Sequence, residues 1–275
     1  MDMDCVRTQV PVIHSDVKSI RDEQELSRQR TILEWISPIN YPAQQSDILG
    51  RRQEGTGQWF LDAHETARWL NEPKATLFCP GIPGAGKTMI AAIAIDHLQK
   101  FVQNSSHGVA YVYCNYKDKE QDIASILTAV MKQLIQGRSS AIGSAERLYQ
   151  QHAGRGRPSL DEIHNALLDV LGHYPSVYIV VDALDECPYA TRCLFLAELR
   201  ALQAVQDIRI MATSRFNLDI QDTFKDALKL EVRASNEDVK RFVASQIYKL
   251  PRCIQRDASL QKMVQEKIVE AVDGM

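Results

Sequence analysis

Gly81-Ile82-Pro83-Gly84-Ala85-Gly86-Lys87-Thr88 stands between a short apolar run that ends at Cys79 and a long helical pattern that continues to Leu98. It fits the spacing G-x-x-x-x-G-K-[ST], which chance produces about four times per thousand chains of this length. The residue types follow from what a phosphate needs. Glycines let the backbone curl until successive N–H groups face one point, and the dipole of the helix opening there adds positive potential at the same place. Lys87 is then placed for the β- and γ-phosphates and Thr88 for a magnesium ion. Gly81, Ile82, Pro83, Gly84, Ala85 and Gly86, with Met89 behind them, line the cofactor's phosphates. A ligand-free glycine-rich turn is the competing reading, and the strand before and helix after the motif count against it.

Outward from the loop, short apolar runs alternate with long helical patterns. The runs are Ala75 to Cys79, Val109 to Cys114, Val177 to Val181, Ile208 to Ala212 and a weaker Leu228 to Val232, each the length of a buried strand. Between them, Ile123, Ile126, Leu127, Val130 and Leu134 form one helical stripe. Ile163, Leu167, Val170 and Leu171 form another behind a Ser159…Glu162 capping box. Five strand–helix alternations predict an α/β fold: a P-loop NTPase with three α/β/α layers and a five-stranded, mostly parallel sheet. Upstream, Asp16 to Ile36 reads as an exposed amphipathic helix packing one edge on its neighbour, with too few heptads for a coiled coil, and Ser37-Pro38 stops it. A polar stretch from Tyr41 to Gly57 and a helix from about Leu61 to Asn71 lead into the first strand. Downstream the period is helical. One helix starts at Ser235, with Asp238 three residues on, and runs through Val239, Phe242, Val243, Ile247 and Leu250; another follows Pro251 with a stripe of Leu260, Met263, Val264 and Ile268. The expected organisation is an N-terminal helix and linker over 1–40, a nucleotide-binding domain over 41–232, and the start of a helical domain over 233–275.

Two further strand ends carry chemistry. Val177-Tyr178-Ile179-Val180-Val181-Asp182 is an apolar strand ending in an acid, the position from which an aspartate reaches a magnesium ion beside Thr88. Three residues on, Asp185 and Glu186 supply two more carboxylates that could orient or deprotonate a water. Helix capping ahead of Pro188 is the competing role for one of the pair, and Glu186 is favoured for the water. The run Ile208 to Ala212 ends in Thr213-Ser214-Arg215. A neighbouring strand in a doubly wound sheet brings that tip beside the phosphate loop, so Arg215 is a candidate for meeting the γ-phosphate rather than a surface ion pair.

Other features are set aside. In Asn115-Tyr116-Lys117-Asp118 the lysine is misplaced for a guanine-selecting N-K-x-D, and His64-Glu65 has Arg68 where a zinc-binding motif needs a second histidine. Arg155-Gly156-Arg157-Pro158 reads as a solvated basic loop, and the sequon at Asn104 matters only in a secreted chain. The six cysteines include no C-x-x-C pair and fit reduced thiols in a cytoplasmic protein. Hydrophobic residues at 45% and charged residues at 24% exclude collagen-like, low-complexity and wholly disordered chains. Thirty-two basic against thirty-five acidic residues give a net charge of −3, which argues against a nucleic-acid partner. The longest apolar run, Met89 to Ile95, is too short to span a bilayer, and the acidic start Met1-Asp2-Met3-Asp4 resembles no targeting signal and is expected to be retained.

Together, the phosphate loop, Val180-Val181-Asp182-Ala183-Leu184-Asp185-Glu186 and Thr213-Ser214-Arg215 resemble the NACHT family of signal-transduction ATPases. Leu49-Gly50-Arg51-Arg52-Gln53-Glu54-Gly55-Thr56-Gly57 and Leu77-Phe78-Cys79-Pro80-Gly81 are similar to the fungal members called nephrocystin-3-like, and the resemblance spans about Ile32 to Met275. It implies a switch that rests closed with ADP and self-associates through the NTPase domain with ATP. In that scheme Lys87 and Thr88 hold phosphate and magnesium, Asp182 the metal, Glu186 or Asp185 the water, and Arg215 the γ-phosphate. Leu49, Gly50 and Arg51, with Ile48, match the element that lies against the adenine in this class; an ordinary turn is the competing reading. Full-length members continue into a winged helix and repeats, so this chain is expected to be either a fragment or a short relative. The function expected is an ATP/ADP-binding signalling switch with slow hydrolysis and Mg2+ as cofactor. A non-hydrolysing nucleotide-binding scaffold and a P-loop kinase or other NTPase are the alternatives, although neither a kinase's arginine-bearing lid nor a motor's basic face is evident.

Overall fold

The computed structural model describes residues 21–103, 105–117 and 121–273. Expectations for Val17, Ile20, Asn104 and Asp118 fall outside them. Helices α1 (21–36), α2 (Tyr41–Gly50), α3 (Gln58–Leu61) and α4 (His64–Asn71) precede strand β1 (Thr76–Pro80) and helix α5 (Lys87–Val102). Then come β2 (Gly108–Tyr113), α6 (Ile123–Gly137), α7 (Gly143–His152), α8 (Leu160–Leu171), β3 (Val177–Asp182), α9 (Tyr189–Val205), β4 (Ile208–Ser214), α10 (Leu218–Thr223) and β5 (Leu228–Lys229). Helices α11 (Asn236–Gln246), α12 (Arg252–Gln255) and α13 (Ala258–Asp273) follow. None of the helices among the described residues is long and apolar enough to cross a membrane.

The strands form one sheet in the order β2-β3-β4-β1-β5, with every pairing parallel. Parallel neighbours need crossovers, and the helices supply them on both faces. On one face Tyr178 of β3 meets Trp69 of α4 and Phe101 of α5 edge to face. On the other, α6, α8 and α9 pack together. Val177 through Asp182 are all buried, which is why that strand reads as an unbroken apolar run. This is the three-layer architecture expected from the sequence.

Side-chain caps set several of the helix starts. Ser159 and Glu162 close the predicted capping box on α8, and Ser235 caps α11 by accepting from the Asp238 N–H. In α1, Ile32 and Ile36 are buried, while Leu26 is exposed. Trp35 meets Tyr149 of α7 at 5.3 Å between ring centres.

Several expectations are corrected. The stretch from Tyr41, read only as polar, is helical as far as Gly50: the Asn40 side chain caps it by accepting from the Ala43 N–H, and Pro42 sits in its first turn. The helix predicted from about Leu61 starts at His64 and ends at Asn71 as expected, and the separate short α3 precedes it. The fifth strand is only two residues long as a strand, although Leu230 and Val232 continue its hydrogen bonds to Phe78 and Pro80. In α11 and α13, Phe242, Met263 and Ile268 are exposed rather than part of a packed stripe.

The β2 edge is sealed by amides. Gln133 accepts from the Tyr111 N–H at 3.1 Å and donates to the Tyr111 carbonyl at 2.9 Å. Gln121 accepts from the Asn115 N–H at 3.2 Å and donates to the Tyr113 carbonyl at 2.9 Å. Each carboxamide presents the donor and acceptor that another strand would have offered, so the edge is closed to pairing.

Candidate functional site

The site gathers at the carboxyl ends of β1, β3 and β4. The Gly81 N–H, just past β1, donates to the Ser214 carbonyl at 3.1 Å. A Cβ on Gly81 would stand 2.5 Å from the Val232 carbonyl oxygen, so only glycine fits there. Gly84 and Gly86 take left-handed φ values of 81° and 90°, and no neighbouring atom lies within 4 Å of where their Cβ atoms would be. No side chain caps α5. Its first-turn N–H groups thus have no side-chain acceptor at the cap, the setting in which a helix start takes an anion.

Lys87 Nζ donates to the Gly81 carbonyl at 2.9 Å and the Ile82 carbonyl at 2.8 Å, so the ammonium lies folded over the loop. Burial pushes its pKa down, the Asp185 carboxylate pushes it back up, and Arg215 pushes it down again.

Asp182 ends β3 and is 3% exposed. Its carboxylate accepts from Thr213 Oγ1 at 2.6 Å, and the Thr88 hydroxyl lies beside it. Burial pushes its pKa above the ordinary aspartate range, while those two hydroxyls and Lys87 act the other way. The structure therefore brings Thr88, Lys87 and Asp182 together. Two hard oxygen donors meet there, one on a desolvated carboxylate, and this donor set suits a small divalent cation.

Beyond Asp182 the chain turns through Ala183, which has a φ of 54°, into a single 3-10 turn, Leu184–Glu186. That turn aims both acids at the tip of β4. Asp185 accepts from the Arg215 N–H at 2.9 Å and pairs with its Nε at 3.3 Å, while Glu186 reaches Arg215 Nη2 at 3.5 Å. Arg215 thus bridges the two acids and keeps 54% of its side chain exposed. Behind the turn, the Cys114 and Cys187 thiols lie beside each other, and the Cys114 N–H donates to the Asp182 carbonyl at 3.0 Å.

Leu49 and Gly50 form the last turn of α2 and Arg51 caps it, with the Arg51 guanidinium ion-paired to Asp47 at 2.6 Å. Of the residues set aside, Asn115 accepts from the Lys117 N–H in a local turn.

Sequence reasoning missed three residues around the site. Thr213 was noticed only as part of a strand end. Gln45 of α2 is buried and donates to the Ala92 carbonyl of α5 at 2.9 Å while accepting from the Tyr113 hydroxyl. Tyr113 lies beside Asp182 in the β2–β3 register. Nothing in the sequence pointed to Gln45 or Tyr113.

A family model described as nephrocystin 3, N-terminal, matches residues 55–215, more than half of the chain and inside the span of the expected resemblance. The vegetative incompatibility protein HET-E-1 of Podospora anserina is 25% identical over 232 residues, covering 78% of this chain and 17% of that protein. The chain thus spans about a sixth of that relative's length. Among solved structures, the ORC2 protein of Aeropyrum pernix in ADPNP–ADP complexes has a TM-score of 0.46 at 14% identity, covering 72% of this chain and 52% of that one. AMPPCP-bound DnaA of Aquifex aeolicus has a TM-score of 0.39 at 12% identity, covering 80% and 63%. Scores of that size leave both as distant resemblances.

Proposed function

The chain belongs to the nephrocystin 3, N-terminal, family of NACHT-like P-loop NTPases, and we propose that it is an adenine-nucleotide switch: it binds ADP or ATP with magnesium at the phosphate loop and hydrolyses ATP slowly. The observation that carries this reading is the convergence of the Thr88 hydroxyl on the buried Asp182 carboxylate, at the start of a helix whose N–H groups have no side-chain cap.

In this reading the nucleotide's phosphates take up the N–H groups of Gly84 through Met89. They draw Lys87 Nζ away from the two carbonyls it now serves, which are weaker acceptors than a phosphate oxygen. Thr88 and Asp182 would hold magnesium, which would supply positive charge to the phosphates. A γ-phosphate competes with the two acids for the Arg215 guanidinium. Because the 3.5 Å contact to Glu186 is the longer one, that carboxylate is released first and is free to accept a proton from a water. Asp185, held by both the backbone and the side chain of Arg215, serves to place that arginine. Leu49, Gly50 and Arg51 are proposed to border the base. The output is conformational, since Arg215 links the γ-phosphate to the acid-bearing turn. Self-association of the ATP-bound form, and a cytoplasmic setting, complete the reading.

Single-turnover phosphate release and nucleotide binding test it together. The wild-type protein is expected to bind ATP and ADP and to release phosphate at well under one turnover per minute. Glu186→Gln is expected to keep binding and cut release at least tenfold, in the range typical of a lost general base. Normal binding with no release from either protein would support a non-hydrolysing scaffold instead.

A further inference from the structure

Thr213 lies at the end of β4, fully buried, with no ligand-facing surface of its own. Its hydroxyl sits between two groups that set the shape of the acid-bearing turn. It donates to Asp182 Oδ1 at 2.6 Å and accepts from the Ala183 N–H at 2.9 Å. The directions are fixed: a carboxylate only accepts, an amide N–H only donates, and a hydroxyl has one proton and spare lone pairs to serve both. The neighbouring backbone is strained. Ala183 and Lys74 are the non-glycine residues at positive φ among the described residues, a conformation an alanine adopts only when its surroundings impose it. The geometry therefore points to Thr213 as a positioning residue. It turns one oxygen of Asp182 toward β4, so that the rest of the carboxylate faces Thr88, and it pins the left-handed Ala183 from which Asp185 and Glu186 are aimed.

Serine meets both requirements, since it keeps the hydroxyl. Valine matches threonine in shape but removes the proton for Asp182 and leaves the Ala183 N–H buried without an acceptor. Glycine at 183 accepts the left-handed turn without strain and so separates the two functions. The proposal rests on the reading of Asp182 as the carboxylate that holds magnesium, so Asp182→Asn is the control for that reading.

The experiment titrates a fluorescent ADP analogue in EDTA and again in excess magnesium, on the full chain, and compares the affinity ratio between the two conditions. For the wild type and Thr213→Ser a clear gain with magnesium is expected, and for Asp182→Asn none. Thr213→Val is expected to keep its affinity in EDTA within about twofold and to lose roughly tenfold of the magnesium gain, the effect of losing a hydrogen bond to a charged group. Thr213→Val/Ala183→Gly is expected to recover melting temperature but not the magnesium gain, and it supplies the same readout should the single variant fail to fold. Loss of the gain in Asp182→Asn with its retention in Thr213→Val would overturn the positioning role alone. Recovery of the gain by glycine at 183 would also overturn it, by reducing Thr213 to a prop for the turn. Retention of the gain in Asp182→Asn would overturn the reading of the site itself.

Discussion

Asp182 is the residue at which stability and chemistry pull apart. Its carboxylate lies 3% exposed among strand ends, and burial raises its pKa. An acid whose folded pKa is raised binds more protons folded than unfolded between the two values. Stability therefore falls as pH rises from the ordinary aspartate value of 3.8 through the folded one, and the ionised form at neutral pH costs the nucleotide-free protein. Asp182→Asn keeps an acceptor for Thr213 and removes the charge. It is expected to raise the melting temperature of nucleotide-free protein at pH 7 by roughly 2–4 °C, about 1 kcal/mol for a chain of this size, and to show no gain below pH 3.8. Calorimetry across pH checks both halves. An unchanged or lower melting temperature at pH 7 would mean that the hydroxyls of Thr88 and Thr213 already compensate the charge.

Among the elements, the strands and the phosphate loop were legible because their signals are local. A strand buried on both faces needs an apolar run, and the loop needs its glycines. Helix α2 was not, because its buried side is Tyr41 and Gln45 rather than an apolar stripe, and Pro42 stands in its first turn. The amides that seal β2 were hidden for a related reason. Gln133 lies on a helix 22 residues from the strand residue it serves, so only the fold gives it a role. The site divides in the same way: Lys87, Thr88, Asp182 and the two acids could be read from motif and strand end. Thr213 could not, because its importance depends on which residue of the neighbouring strand it faces. At the sealed edge, Gln133→Leu removes both bonds to Tyr111 and leaves a buried N–H and carbonyl unpaired. The expected cost is about 2–3 kcal/mol in urea unfolding. Concentration-dependent association in sedimentation is expected with it, because an open strand edge pairs with another chain. A monomeric variant of unchanged stability would show that the amides are incidental.

Across the whole molecule, the helices after β5 rest on the loop that precedes α3. Asp238 accepts from the Gly57 N–H at 2.9 Å, and Arg241 donates to the Gly55 carbonyl at 2.5 Å. Gly57 itself is held against α5: its φ is 77°, and a Cβ there would lie 2.3 Å from Ile93 Cδ1. The chain between β5 and α11 also passes over Gly81 through the Val232 carbonyl. The phosphate loop, its helix and the C-terminal helices thus meet around one loop, a layout through which a nucleotide at Gly81–Thr88 could move the C-terminal piece. If residues 233–275 form a separate piece held by those two contacts, Asp238→Ala/Arg241→Ala should speed limited proteolysis near 233–236 severalfold. The melting of the sheet should stay within about 1 kcal/mol of wild type. Equal proteolysis of both proteins would place the boundary elsewhere.

The nucleotide carried by the purified protein tests the central claim most directly. The protein is denatured, the extract is resolved by chromatography, and the same is done with Lys87→Ala. Near-stoichiometric ADP in the wild type and its loss in the variant are the predicted results. A wild-type protein that carries no nucleotide and takes up neither ADP nor ATP when each is added with magnesium would contradict the account.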